Sequence, residues 1–176
     1  MPSAVIVRAA LPSGLERLRR RRVENATIGV PAHMTLLHPF IEPAGLDGSV
    51  RRTLAAVAAG HRPFDYQQTR MAEWPDAIYV AVEPTEPFER LQRELQAAFP
   101  DWPIYGAGVD FEFEPHITVA DRQGKRHTGI HRDRAWRALP RPSRASAVEV
   151  IATGENGRWR LVWRLPLGGR HAPIRR

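Results

Sequence analysis

Two short segments of this 176-residue chain resemble one another, and they constrain its fold more than any other feature. Residues 31–36 are Pro-Ala-His-Met-Thr-Leu, and residues 114–119 are Glu-Pro-His-Ile-Thr-Val. A single His-x-Thr match is weak, because short motifs arise by chance. Two matches with similar flanks, close to half the chain length apart, predict two similar lobes that each contribute one copy to a shared groove.

Both segments alternate polar and apolar residues, which is typical of a β-strand. Successive side chains of a strand point to opposite faces, so His33 and Thr35 are predicted to share one face. The same argument places His116 and Thr118 on one face of a second strand. The alternative is that these residues only fill or cap a strand surface, but the repetition with shared flanks favours a functional interpretation.

A pair of imidazoles suits phosphodiester chemistry near neutral pH. One neutral ring can take a proton from the attacking oxygen, while a second, protonated ring gives one to the leaving oxygen. Threonine hydroxyls can donate hydrogen bonds to phosphate oxygens and stabilise charge as it develops. We therefore interpret His33 and His116 as a catalytic acid–base pair and Thr35 and Thr118 as phosphate-binding residues. The sequence does not assign acid and base between the two histidines.

The rest of the chain predicts a mixed α+β order of elements. Strands are predicted at residues 3–10, 31–40, 64–73, 77–82, 114–120, 146–152 and 158–167. Helices are predicted after residue 12, over residues 47–60 and between residues 85 and 99. The polar segment from the second motif to about residue 139 is compatible with a helix.

The two motifs and their surroundings resemble the two-histidine (2H) phosphoesterase superfamily, in particular its 2′-5′ RNA ligase-like branch. The first motif continues with Leu-His-Pro-Phe, and Tyr105-Gly106 precede the second. The resemblance implies an α+β fold of two pseudo-symmetric lobes of antiparallel sheet, with outer helices around a central cleft. It implies one bilobal domain over residues 1–167 and a tail at 168–176. It also implies metal-independent action on 2′,3′-cyclic phosphate or 2′-5′ phosphodiester bonds of nucleotides or RNA.

Further residues are candidates for substrate binding. Four aromatic residues could stack on a base or belong to the core: Phe40, Trp74, Trp102 and Tyr105. Many family members carry a basic residue three positions after the second threonine, whereas here that position is Asp121 and Arg122 follows it. Strand alternation turns Arg122 to the opposite face, and it also turns His38 away from the face of the first motif.

The formal net charge is +7, and nearly all basic residues are arginines. A positive field and the planar guanidinium group favour phosphate-bearing partners such as nucleotides or RNA. Genome base composition is an alternative cause of the arginine excess. The basic run within residues 17–22 is either an RNA-contacting strip or a solvated helix end. A non-catalytic RNA- or nucleotide-binding module that uses the same groove is therefore the rival to an enzyme.

Several other functional classes are disfavoured. The chain has no cysteine, which excludes disulfides, thiolate metal sites and a cysteine nucleophile. His127 and His131 have the spacing of a helical zinc pair, but no further ligand follows at a recognisable spacing, so neither a metal nor another cofactor is expected. The Gly-rich phosphate loop of ATP-driven enzymes is missing. Without a signal segment or an apolar stretch of about 20 residues, a cytoplasmic protein is expected. The protein is also expected to be a monomer.

Overall fold

The computed structural model of the protein describes residues 3–106, 112–121 and 129–169. The strands are β1 (Ser3–Arg8), β2 (His33–Leu37), β3 (Phe64–Glu73), β4 (Ala77–Glu83), β5 (His116–Asp121), β6 (Arg141–Ala145), β7 (Ala147–Thr153) and β8 (Trp159–Pro166). The α-helices are α1 (Ser13–Arg22), α2 (Glu24–Thr27), α3 (Gly48–Gly60) and α4 (Glu86–Ala98). Short 3₁₀ turns lie at Pro43–Gly45, Ile104–Gly106, Ile130–Arg132 and Arg134–Ala138.

The strands form two antiparallel sheets of four strands each. One sheet has the order β2-β1-β7-β8, and the other has the order β5-β4-β3-β6. Each motif therefore lies on an edge strand of its own sheet, and the two edge strands, β2 and β5, contact one another. The predicted α+β fold with two lobes of antiparallel sheet is confirmed. This arrangement brings segments that are distant in the chain to one junction.

Helix packing covers the sheet faces that do not carry the motif residues. In α4, Phe88, Leu91 and Leu95 recur at helical spacing and are fully buried, as an amphipathic helix requires. Helix α4 packs against β2 and α3, while α1 packs against β5. In the motif strands, Met34 and Ile117 are also fully buried. The apolar positions between His and Thr thus belong to the core, and they fix the orientation of both strands.

The segment before β7 differs from the expectation. Strand β6 is not predicted from the sequence, because Pro142 lacks an N–H for the strand ladder. Since β6 pairs with β3 at the edge of its sheet, the proline occupies a position where that loss is tolerated. The described part of the preceding polar segment forms two 3₁₀ turns instead of an α-helix.

Some expectations fall outside the described residues. They include Arg122 and His127, as well as residues 170–176 of the tail expected from residue 168. Among the described residues, no helix is both long enough and apolar enough to cross a membrane.

Candidate active site

The ring of His33, at the start of β2, is held by a backbone carbonyl. Its Nδ1 donates to the Pro31 carbonyl oxygen at 2.7 Å, which leaves Nε2 unprotonated and 3.1 Å from Thr35 Oγ1. Burial lowers the pKa of His33 to about 4, against the raising effect of the Pro31 hydrogen bond. The charges of Arg19 and His116 lower this pKa further. The ring is therefore neutral at pH 7, with Nε2 available to accept a proton.

Arg19 holds the chain immediately before β2. The residue is 2% exposed, and its Nη2 donates to the carbonyl oxygens of Val30 at 3.0 Å and Pro31 at 2.9 Å. The Pro31 oxygen thus accepts hydrogen bonds from both Arg19 and His33. In the sequence Arg19 is one of the basic run within residues 17–22, for which a buried guanidinium was not predicted. Helical spacing could have separated it from that run, because it lies four residues after the buried Leu15 on the same helix face.

His116 begins β5 as His33 begins β2. Its Nδ1 donates to the Glu114 carbonyl oxygen at 2.8 Å, again two residues earlier in the chain. The Glu114 carboxylate accepts a hydrogen bond from the Tyr79 hydroxyl at 2.8 Å. Burial lowers the pKa of His116, whereas the Glu114 backbone hydrogen bond and the negative charges of Glu114 and Asp76 raise it. Carboxylates thus favour protonation of this ring, while a guanidinium disfavours protonation of the other.

Two aromatic rings enclose His116. The Trp74 centroid lies 4.5 Å from the His116 centroid in an edge contact, and the Tyr79 centroid lies at 5.3 Å. Trp74 and Tyr79 are themselves 4.3 Å apart. Trp74 was one of the stacking candidates, and the structure places it beside the second motif. These contacts pack against the imidazole from the side and shield that side from water.

The motif residues line two adjoining cavities at the junction of the sheets. His33, Thr35 and His38 line a cavity of about 240 Å³. His116 and Trp74 line a cavity of about 560 Å³. Three residues line both cavities: Tyr105, Thr118 and Asp121. The structure therefore brings both motifs to one groove, in which the two histidines are near enough to influence one another's titration.

His38 lies on the groove side of the sheet, so the expectation that it faces away is wrong. Strand β2 contains a bulge: two consecutive residues of β1 lie opposite Thr35 and Leu37, which leaves Leu36 as the extra residue. Leu36 and Leu37 are both buried, and the alternation restarts after them. His38 therefore returns to the face of Thr35, where its Nδ1 lies 3.3 Å from the Ser3 carbonyl oxygen.

Tyr105, another of the four stacking candidates, lies in the groove. Its φ of 55° is in the left-handed region, which is uncommon for a tyrosine. Its backbone N–H donates to the His38 carbonyl oxygen, and its side chain hydrogen-bonds Thr35. The residue remains 46% exposed, so its ring is both held at the first motif and open to a ligand.

Phe40 belongs to the core, so the hypothesis that it stacks on a base is wrong. It is 3% exposed and packs edge-on against Phe99, with a centroid distance of 5.1 Å. Trp102 lies 6.1 Å from Phe40 in the same aromatic cluster.

Of the two histidines considered as zinc ligands, His131 lies 3.6 Å from the Glu73 carboxylate. Among the described residues, no three His, Cys, Asp or Glu side chains are grouped to hold a metal ion.

Comparison with known proteins identifies the family. A family model for the 2′-5′ RNA ligase superfamily matches residues 7–156. The chain belongs to this superfamily. The resemblance inferred from the two motifs is thereby confirmed, and membership in the 2′-5′ RNA ligase superfamily supports an enzyme that acts on phosphoesters.

Proteins similar in sequence to this superfamily member carry a matching description. The protein named "Putative phosphoesterase GK0864" from Geobacillus kaustophilus strain HTA426 is 23% identical over 155 residues, which cover 86% of this chain and 87% of that protein. A protein of the same description from Geobacillus thermodenitrificans strain NG80-2 is 22% identical with the same coverage.

Solved structures share the fold of this 2′-5′ RNA ligase superfamily member. TT0787 of Thermus thermophilus aligns with a TM-score of 0.59 and 18% identity, covering 97% of this chain and all of that one. E. coli LigT in complex with 3′-AMP aligns with a TM-score of 0.52 and 16% identity, covering 94% and 98%. Sequence identities this low show that the fold is shared and nothing beyond it.

Proposed function

We propose that this protein is a metal-independent phosphodiesterase that acts on 2′,3′-cyclic phosphate or 2′-5′ phosphodiester bonds of nucleotides or RNA. The observation that carries the proposal is the common groove of the two His-x-Thr strands. In both strands the histidine Nδ1 is tied to a carbonyl two residues earlier, which leaves both Nε2 atoms for proton transfer. Solved complexes of LigT with 3′-AMP, NADP⁺ and ATP support a nucleotide as the partner.

The electrostatic surroundings favour His33 as the general base and His116 as the general acid. Burial and a nearby guanidinium keep His33 neutral, since its pKa is about 4. Two carboxylates oppose the effect of burial at His116 and make that ring the more easily protonated of the pair. Surroundings that shift the pKa values of two titratable groups in different ways give one base and one acid at the same pH.

The proposed reaction needs the two histidines to act on opposite sides of the phosphorus. His33 Nε2 takes a proton from a water molecule as the water oxygen bonds to the phosphorus of a 2′,3′-cyclic phosphate. One ribose oxygen then leaves the phosphorus and receives a proton from His116 Nε2, which yields a phosphomonoester and a free hydroxyl. Thr35 and Thr118 donate hydrogen bonds to the non-bridging oxygens, where negative charge accumulates in the transition state.

Turnover in the presence of a chelator tests this proposal. The protein is incubated with 2′,3′-cyclic nucleotides and 2′-5′-linked dinucleotides in excess EDTA, and the phosphomonoester product is measured. We expect turnover to be unaffected by EDTA, and equally unaffected in His131→Ala, a control that removes one of the two histidines considered as zinc ligands. Loss of turnover on chelation, with recovery on adding zinc, would contradict the metal-independent mechanism.

The rival binding module predicts another result. The groove is a binding site without catalysis if the protein turns over none of these substrates, and if the wild type, His33→Ala and His116→Ala all bind RNA with the same affinity. Circular dichroism of each variant checks that the fold is retained.

A further inference from the structure

A further cavity, of about 280 Å³, lies at the C-terminal end of β1. It is formed by the end of β1, the edge strand β6 and the β7–β8 pair. Four arginines line it: Arg8, Arg141, Arg144 and Arg164. The mechanism proposed above uses none of them.

Strand register places this cavity on the sheet face that carries the first motif. Arg8 lies opposite His33 in the β1–β2 pair, and directly opposed residues share a face. Ile6, two residues before Arg8 and thus on the same face, lies opposite Glu149 of β7. Glu149 in turn lies opposite Arg164 of β8. Ile6 also lies opposite Thr35, and neighbouring strands are about 4.8 Å apart, so the backbone of Arg164 stands roughly 14 Å from that of Thr35 across one sheet face.

A buried carboxylate organises two of the arginines. The Glu149 side chain is 5% exposed, and its oxygens lie 2.8 Å from Arg8 Nε and 3.4 Å from Arg164 Nε. Arg164 Nη2 also donates to Ser146 Oγ at 3.2 Å. A buried charge is tolerated where hydrogen-bonded partners satisfy it. Here that pairing orients two guanidinium groups whose side chains remain 49% and 56% exposed.

Donors remain available on both sides of the cavity. The two Nη groups of Arg8 make no hydrogen bond to any described residue. On β6, Arg144 Nη1 pairs with Asp65 at 2.7 Å, while Arg141 is exposed and forms no ion pair within the described part of the chain. Four guanidinium groups face two carboxylates, so the cavity carries excess positive charge.

We propose that this cavity binds the phosphodiester backbone of a single-stranded RNA whose reacting phosphate lies between the two histidines. Arginine donors spread across β1, β8 and β6 suit successive phosphates of an extended strand, whereas a single small anion requires donors that converge on one point. The choice of RNA rests on the proposed function, while the binding of a phosphodiester strand requires no turnover.

The test compares a short and a long ligand. Dissociation constants are measured by fluorescence anisotropy, over a range of salt concentrations, for a labelled dinucleotide and a labelled single-stranded RNA octamer. The variants are Arg141→Gln, which removes an exposed side chain without an ion pair in the described residues, and the double variant Arg141→Gln/Arg164→Gln. The control is Arg93→Gln, which removes an exposed arginine of α4.

We expect the octamer to bind about 5- to 20-fold more weakly to the double variant and a few-fold more weakly to Arg141→Gln. The slope of log Kd against log salt should fall by about 0.7 for each phosphate that the variant no longer neutralises. Dinucleotide binding and turnover should not change. An octamer affinity equal to that of the wild type, an equal loss in Arg93→Gln, or an equal loss for the dinucleotide would overturn the proposal. Octamer binding is measured without catalysis, so an inactive protein whose octamer binding depends on Arg141 would contradict the proposed enzyme and not this site.

Discussion

His33 and His116 are held by the same kind of backbone hydrogen bond but lie in opposite electrostatic surroundings. The buried guanidinium of Arg19 lies near the first ring and shares the Pro31 carbonyl with it. The second ring has the carboxylate of Glu114 nearby. A symmetric pair of motifs thereby becomes an asymmetric pair of titratable groups, which a reaction with one base and one acid requires.

The motif residues themselves are the first targets for substitution. His33→Ala or His116→Ala should lower turnover by ~10²–10⁴, the range for loss of a positioned general acid or base. Thr35→Ala or Thr118→Ala should lower it by roughly 10–10³, because one hydrogen bond to the developing charge is lost while proton transfer continues. Steady-state kinetics on a 2′,3′-cyclic nucleotide measures both effects. Thr53→Ala, on the exposed face of α3, is the control, and a comparable loss there would contradict the assignment.

Arg19 acts through His33, so its substitution should change a pH profile as well as a rate. Arg19→Met removes a positive charge that lowers the pKa of His33, and the acidic limb of kcat/KM should therefore move to higher pH. Arg19→Lys keeps the charge but cannot donate to both carbonyls in the same way, so kcat should fall about 10-fold while the limb stays in place. Arg20→Met, an exposed neighbour in α1, should change neither. An unshifted limb in Arg19→Met would show a purely structural role.

At the scale of elements, different parts of the fold supply the charges around the two rings. Helix α1 brings the guanidinium of Arg19 to β2, and the turn between β3 and β4 brings Asp76 to β5. Arg19 and Asp76 lie far apart in the chain, one on a helix and the other in a turn between two strands. The acid–base asymmetry is therefore a consequence of how the elements are arranged, and each element can be altered separately.

The pH dependence of kcat/KM should be bell-shaped and lie on the acidic side of neutrality. Activity requires a neutral His33, which is present above about pH 4, and a protonated His116, whose pKa is lowered from its ordinary value of 6.5. The two limbs belong to the coupled pair. Asp76→Asn removes a charge that raises the pKa of His116, so the alkaline limb should move to lower pH. Glu155→Gln, in the turn of the other sheet's hairpin, is the control and should leave both limbs unchanged.

For the whole molecule, holding a neutral imidazole inside the fold makes stability depend on pH. His33 titrates near 4 in the folded state and near 6.5 in the unfolded state. The unfolded chain therefore binds more protons between these values, so the contribution of His33 to stability is fully present above pH 6.5 and falls as the pH falls toward 4.

Denaturant unfolding at pH 7.5 and pH 4.5 measures this contribution. The free energy of unfolding should drop on the order of 2 kcal/mol more in the wild type than in His33→Asn, because the variant lacks the titrating ring. His131→Asn, which removes a half-exposed imidazole, should show the same drop as the wild type. Equal drops in wild type and His33→Asn would contradict the lowered pKa.

The sequence by itself determined the features that depend on local periodicity. Alternation in the strands placed His33 with Thr35 and His116 with Thr118, and the helical spacing of apolar residues predicted α4 with its buried face. The repeated motif also indicated two lobes with one groove. These inferences hold because each depends on residues a few positions apart, whose relative directions the backbone conformation sets.

The tertiary structure alone decided the features that depend on distant partners. The burial of Arg19, the placement of Trp74 against His116 and the edge position of β6 follow from contacts between elements far apart in the chain. The bulge at Leu36 reversed the expected direction of His38, because β2 has one residue more than β1 at this point of the pairing and the alternation shifts by one. Local periodicity carries no information about such pairing, so the charges and rings that distinguish the two histidines became visible only in the folded chain.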